Sequence, residues 1–173
     1  VSTFAATLGP RYGLGWVISR RYQAAILEQA IVEGVAESDG CIMRAIAQYL
    51  QNASYDRHVR RLRDTLASRL RRWQSLIARD FPRGCSISRP SGGYMCWLRG
   101  PSGFDATRGA AEALGRGISI PPGPLFSVTG SFRNFTALNL SLPPTAEREK
   151  KLAVVAEILT AGAVERRASK AVY

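Results

Sequence analysis

The sequence offers few side chains that could perform covalent chemistry. His58 is the only histidine, which removes the usual general base of Ser–His and Cys–His catalysis and excludes most zinc sites. The cysteines, Cys41, Cys85 and Cys96, lie far apart without metal-ligand spacing, so we predict reduced thiols in a cytoplasmic protein and no metal site. Catalysis assisted by a lysine or a carboxylate stays open on composition alone.

Side-chain primary amines, which form Schiff bases with aldehydes, occur only towards the C-terminus. The chain has 21 arginines but only three lysines, Lys150, Lys151 and Lys170. The net charge of +11 follows from this Arg-rich, Lys-poor usage, which is typical of a GC-rich genome. A surface that binds nucleic acid or an acidic partner is the alternative interpretation.

The elements that position these residues belong to a globular chain. Apolar residues make up 46% of the sequence and charged residues 21%, a balance that favours a packed core over disorder. No apolar run approaches the roughly 20 residues that a membrane-spanning helix requires. The N-terminus also lacks the basic and apolar pattern of a secretory signal, so we expect no membrane partner.

The order of predicted elements indicates an α/β protein. Apolar residues at helical spacing alternate with short β-branched or aromatic runs that end in Gly/Pro turns. In order, we predict a strand at 13–19, helices at 21–36, 41–52 and 56–78, strands at 85–88 and 93–98, a helix at 105–114, strands at 117–120 and 135–142, and a helix from Pro144 to about residue 160. The segment 38–40 is expected to end the first helix and cap the second, and Asp56 is the expected cap of the third. Helices packed on a small mixed sheet are the expected architecture.

Five phrases of the sequence stand in an order and spacing that match a known family. They are Thr7–Pro10 with Gly13–Val17, Tyr55–Arg63, Ser91–Leu98, Gly117–Ser127 and Arg133–Phe135. Together they resemble the C-terminal part of fold-type I pyridoxal-phosphate enzymes, the class I/II aminotransferases. The resemblance is greatest to the aminotransferase-like domain of the MocR subfamily of GntR-type bacterial transcription regulators.

This resemblance implies a fold class and a division of the chain. Residues 1–55 would be the C-terminal end of the large cofactor domain, and residues 56–162 the small C-terminal α+β domain. Residues 163–173 would form a flexible tail. The expected α/β fold is therefore a piece of a pyridoxal-phosphate transferase, without the first half of the large domain.

The resemblance also implies where the cofactor would be attached, and here the sequence departs from the family. The family lysine that forms the Schiff base corresponds to Ala6, so no catalytic residue is expected and covalent binding of pyridoxal phosphate is not expected. The family arginine that binds the cofactor phosphate corresponds to Gly13. Thr3, which matches a hydroxyl position, and Arg11, two residues before Gly13, are the remaining cofactor-binding candidates.

The substrate side shows a third departure of the same kind. The family arginine that binds the substrate carboxylate corresponds to Ala137, so no substrate-binding residue is expected. Nearby Arg133 occupies a separate position of the family phrase. Small residues thus replace three functional residues while the surrounding phrases persist, a pattern that random decay would not select.

Three functions remain open at this stage. The first is a fragment or degenerate copy of the effector domain of a MocR/GntR-type regulator, which senses a ligand or dimerises without turnover. Its partners would be a second copy or the missing N-terminal half, with DNA bound only by an absent N-terminal module. The second is the C-terminal portion of an aminotransferase with inactivating substitutions, and the third is a basic module that binds nucleic acid non-specifically. In the first two cases we expect the helices over 21–52 to expose Leu27, Ile31, Ile42 and Ile46.

Overall fold

The computed structural model describes residues 2–34 and 39–170, with side chains up to residue 162. The helices are α1 (Gln23–Val32), α2 (Gly40–Gln51), α3 (Ser54–Asp80), α4 (Ala106–Gly115) and α5 (Ala146–Lys170). The strands are β1 (Ser2–Thr3), β2 (Gly15–Trp16), β3 (Ser86–Ile87), β4 (Met95–Arg99) and β5 (Phe135–Asn139). Two compact units divide the chain between Leu62 and Arg63, inside α3, whereas the sequence prediction placed a boundary at 55/56.

The first unit combines a two-stranded ribbon with helices. β1 and β2 pair antiparallel, and two 3-10 helices, Phe4–Ala6 and Pro10–Tyr12, fill the connection. Gly15 makes this pairing possible, because a Cβ there would lie 2.9 Å from the Ser2 carbonyl oxygen. The strand predicted over 13–19 is thus reduced to two residues.

The helices of this unit differ in how much of their surface they bury. Leu27 and Ile31 on α1 are 56% and 62% exposed, as the sequence predicted. The prediction was wrong for Ile46, which is 4% exposed, because amphipathic α2 buries the centre of its apolar side within the unit. Asp39 caps α2 as expected by accepting hydrogen bonds from the Cys41 and Ile42 amides. Val35, Ala36 and Ser38, which the sequence assigns to the end of α1 and the following turn, lie outside the described residues.

The second unit is built on a three-stranded sheet in the order β3-β4-β5. Both pairings are antiparallel, and β4 and β5 align Trp97 with Ala137. Side chains alternate along each strand, so Cys96, Leu98 and Leu138 enter the core while Trp97 and Ala137 lie on the other face. Trp73 and Ile77 of α3, Ala113 of α4, and Leu152, Val155 and Leu159 of α5 complete this core.

Two details of the second unit correct the sequence prediction while the α/β class holds. The sheet is antiparallel where a mixed one was expected, and 118–120 do not form a strand. That segment approaches β5 through the Pro121 carbonyl, which accepts a hydrogen bond from the Ala137 amide at 3.0 Å. Two successive prolines, Pro121 and Pro122, have no N–H to continue a ladder, so only an isolated bridge between Pro122 and Thr136 remains.

Helix ends also differ from the prediction. α3 begins at Ser54, so Asp56 lies in its first turn and is not its cap. The backbone of α5 continues to Lys170, although a flexible tail was expected from residue 163. Residues 163–170 contain no glycine or proline, and alanine, glutamate and arginine favour helix. Within the described residues, no helix has both the length and the apolar character needed to cross a bilayer.

Candidate functional site

Ala6 closes a short 3-10 turn, Phe4–Ala6, that follows β1. Its methyl group is exposed and carries no group that could react with an aldehyde. The described lysines with side chains, Lys150 and Lys151, lie on α5, where Lys151 forms an ion pair with Glu147 at 2.9 Å. Residue 6, which the resemblance assigns to the Schiff-base lysine, therefore carries no amine.

The Thr3 hydroxyl is used by the local backbone. It accepts a hydrogen bond from the Ala5 amide at 3.1 Å and donates one to the Leu14 carbonyl at 3.1 Å. The first bond caps the 3-10 turn, and the second joins the two ends of the ribbon. These two bonds account for Thr3 as a structural residue, and a contact between its hydroxyl and a cofactor phosphate stays a prediction.

Gly13 is adapted to its turn by conformation. Its φ is +55°, in the left-handed region, and it ends the 3-10 helix Pro10–Tyr12. The Cβ of an arginine would fit at this position, since no atom lies within 4 Å of it. The arginine would nevertheless have to adopt an unfavourable left-handed backbone conformation. Arg11 is exposed two residues before it, and no hydrogen bond connects Arg11 with Thr3 among the described residues. The cofactor role of Arg11 likewise stays a prediction.

Tyr55 and His58 of α3 hold the segment that follows Ala6, a role that the sequence did not reveal. His58 Nε2 lies 2.7 Å from the Thr7 carbonyl oxygen, so the tautomer with a proton on Nε2 donates a hydrogen bond. The Tyr55 hydroxyl donates to Thr7 Oγ1 at 3.5 Å, and its ring meets Phe4 edge-on at 6.2 Å. The spacing of Tyr55 and His58 places both side chains on one side of α3, which was the only signal available.

Ala137 lies in an aromatic and apolar environment on the outer face of the sheet. It is 5% exposed and pairs with Trp97 across the strands. The Trp97 ring contacts Phe126, Phe132 and Phe135, with centroid distances of 5.2, 5.6 and 5.9 Å. A methyl group at position 137 cannot make the charge-assisted, two-bond contact by which arginine binds a carboxylate.

The Pro-rich segment after residue 120 is tied to the strand that carries Ala137. The Pro121 carbonyl accepts hydrogen bonds from the Ala137 amide and from Thr136 Oγ1 at 2.9 Å. Gly123 approaches Phe132 so closely that a Cβ would lie 2.2 Å from the Phe132 carbonyl oxygen. Phe132 itself has a φ of +61°, which is rare for a non-glycine residue. The frame around position 137 is therefore closely built although its functional side chain is small.

The residues present do not fit covalently bound pyridoxal phosphate. At the positions that the resemblance implies, a Schiff base would need an amine at residue 6, and the phosphate and carboxylate contacts would need cations at residues 13 and 137. Ala6, Gly13 and Ala137 supply none of these groups. No reaction step can be assigned to the chain through this cofactor.

Comparison with solved structures identifies the fold. A multiple-substrate aminotransferase from Thermococcus profundus aligns with a TM-score of 0.78 and 22% identity, covering 94% of this chain and 40% of the enzyme. The α-aminoadipate aminotransferase LysN from Thermus thermophilus, solved with N-(5′-phosphopyridoxyl)-L-leucine, aligns with a TM-score of 0.71 and 19% identity, covering 94% and 41%. The chain thus has the fold of part of an aminotransferase, and the predicted α/β class is confirmed.

Sequence similarity points to transcription regulators. The chain is 34% identical over 139 residues to the uncharacterized HTH-type transcriptional regulator YdcR of Escherichia coli, covering 80% of this chain and 29% of the regulator. It spans about a third of the length of the Escherichia coli regulators that it matches. No protein-family model matches the sequence. These matches confirm the resemblance predicted from the sequence, since the curated relatives are HTH-type transcription regulators and the solved structures are aminotransferases.

Proposed function

We propose that this chain is part of the effector domain of a cytoplasmic transcription regulator that senses a ligand or dimerises without catalysing transamination. The observation that carries this proposal is the set of small residues, Ala6, Gly13 and Ala137, in a chain that has the fold of part of an aminotransferase. The sequence similarity to the regulator YdcR also supports a role in a transcription regulator. DNA binding in this proposal belongs to a separate N-terminal module, and the homodimer or the rest of the cofactor domain would be the partner of this chain.

The absence of a specific aldimine is the first test. The chain is incubated with pyridoxal phosphate, treated with borohydride and mapped by mass spectrometry, alongside an Ala6→Lys variant. We expect only the low background labelling of primary amines, on Lys150, Lys151, Lys170 and the N-terminus, because position 6 carries no amine. Amino-acid transamination faster than that of the free cofactor would overturn the proposal. The Ala6→Lys variant controls for detection, since a lysine at this exposed position must itself be labelled.

The reading frame upstream of Val1 provides the second test. A winged helix and linker before the cofactor-domain half would support a regulator. A cofactor-domain half alone would favour the alternative, a portion of an aminotransferase with inactivating substitutions. Neither result depends on the activity of the isolated chain.

A further inference from the structure

A cavity of about 460 Å³ lies inside the second unit, between α3 and the turn that precedes β4. The side of α3 around Leu66 and Leu70 forms one wall, and Arg89–Gly93 forms the other. This volume is in the range of roughly 300–1,000 Å³ that holds small-molecule ligands in proteins. None of the family positions considered above, at residues 3, 6, 11, 13 and 137, lines this cavity.

The charge of the lining is positive and available to a ligand. Arg63, Arg71 and Arg89 contribute three guanidinium groups, and Asp64 contributes the one carboxylate of the lining. No hydrogen bond or ion pair joins these three guanidinium groups to another side chain among the described residues. Other arginines of this unit are paired, as Arg116 is with Glu112 at 2.8 Å. A net charge of +2, from three cations and one anion, therefore remains at the cavity.

The helix also presents an apolar floor, and the turn leaves free space across from it. Arg63 and Arg71 stand eight residues apart on α3, about two turns, so they flank the same side on which Leu70, 8% exposed, covers the core. Across from them, a Cβ at Gly92 or Gly93 would meet no atom within 4 Å, so the backbone of the turn faces open space. Gly93 has a φ of +84°, which only glycine adopts readily.

From this arrangement we propose that the cavity binds a small organic anion with an apolar portion. The anionic group lies between the guanidinium groups, where charge-assisted hydrogen bonds form, and the apolar portion rests on Leu66 and Leu70. A phosphate monoester or an aromatic carboxylate has the size and the charge that match this cavity.

Isothermal titration calorimetry with three probes tests this site on the 173-residue chain. Phenyl phosphate carries both features, inorganic phosphate only the charge, and phenol only the apolar ring. We expect saturable binding of phenyl phosphate that is tighter than that of the other two. Arg71→Gln should weaken it about tenfold, because one charge-assisted hydrogen bond is lost.

Arg83→Gln is the matched control, since Arg83 is exposed, lies outside the cavity and removes the same charge. Its affinity for phenyl phosphate should equal that of the unmodified chain. Circular dichroism of both variants checks that they remain folded. Equal weakening by Arg83→Gln and Arg71→Gln would reduce the site to a general effect of net charge and overturn the proposal. Lack of saturation, or equal affinity for phosphate and phenyl phosphate, would also overturn it.

Discussion

The packing of Phe104 against glycines makes the core of the second unit testable by one methyl group. The Phe104 side chain is 5% exposed and lies against Gly100, Gly109 and Gly162. A Cβ at Gly109, in the middle of α4, would lie 2.5 Å from Phe104 Cζ and 2.7 Å from Cε2. Carbon atoms in contact prefer a separation of about 3.5–4.0 Å, so Gly109→Ala requires the buried ring to move.

Two opposed contributions decide the outcome of Gly109→Ala. Alanine favours a helix interior over glycine by about 1 kcal/mol. Extra volume in a well-packed core costs about 1–3 kcal/mol, and the distance of 2.5 Å favours the upper part of that range. We therefore expect the free energy of unfolding to fall by about 1–2 kcal/mol, against the helix propensity.

Urea unfolding followed by circular dichroism measures this difference, with Gly115→Ala as the control. Gly115 ends the same helix, and a Cβ there meets no atom within 4 Å, so this variant should be neutral or stabilised by up to about 1 kcal/mol. Phe104→Leu removes the ring atoms that clash, and in that background Gly109→Ala should cost less. If Gly109→Ala is as stable as Gly115→Ala, or if its cost is unchanged by Phe104→Leu, the Phe104 ring does not limit the space at position 109.

Four further predictions follow from exposure and charge. Burial raises the pKa of the Cys85 thiol to about 11, so at pH 8 only about 0.1% of it is thiolate, and Ellman's reagent should modify exposed Cys41 far sooner; equal rates would contradict this. Because α1 exposes apolar side chains, the isolated chain should self-associate through this helix at tens of micromolar, and Leu27→Glu should shift its sedimentation towards the monomer. An unmodified chain that sediments as a monomer and binds no hydrophobic dye would refute this prediction. Because its net charge is +11, the chain should bind duplex DNA at low salt without sequence preference, and this binding should disappear near physiological salt. Fluorescence anisotropy that shows sequence-dependent binding at moderate salt would instead favour a nucleic-acid-binding module. Ala137→Arg should destabilise the fold by several kcal/mol because it buries an unpaired charge, whereas exposed Ala6→Lys should change the unfolding midpoint little; equal effects would contradict the burial argument.

Helix positions were predictable because each depends on a local pattern. The apolar residues of α3 that include Leu70, Trp73 and Ile77 recur at helical spacing and become buried, as that pattern requires. Asp39 stands directly before α2 and satisfies its first amides through its own side chain. Only local sequence is needed for either prediction.

The errors arose where distant residues decide the outcome. Ile46 was expected to be exposed because its partners were assigned to absent parts of a domain, yet it is buried within the first unit. Residues 117–120 have high β-propensity, which is why a strand was predicted there. The prolines that follow cannot donate hydrogen bonds to β5, so no strand forms at this edge of the sheet. Likewise, no local pattern indicates that the His58 ring reaches the Thr7 carbonyl, 51 residues away in sequence. At the candidate site, the identities at positions 6, 13 and 137 could be read from the sequence, but their exposure, φ and aromatic neighbours could not.

The three small residues of the candidate site have different physical consequences for a chain without a cofactor. Position 6 is exposed, so a lysine there would stay hydrated and would pay no desolvation penalty. Alanine at this position therefore removes a reactive amine without a gain in stability. Gly13, by contrast, relieves the strain that an arginine would experience at a φ of +55°. Ala137 avoids a guanidinium in a site that is 5% exposed and lined by aromatic rings, where the charge would depend on an anionic ligand for compensation. If positions 13 and 137 have the roles that the resemblance implies, the residues there therefore lessen the dependence of the fold on a bound cofactor and substrate. In the proposed function, this property suits a domain that must remain folded while its ligand is absent.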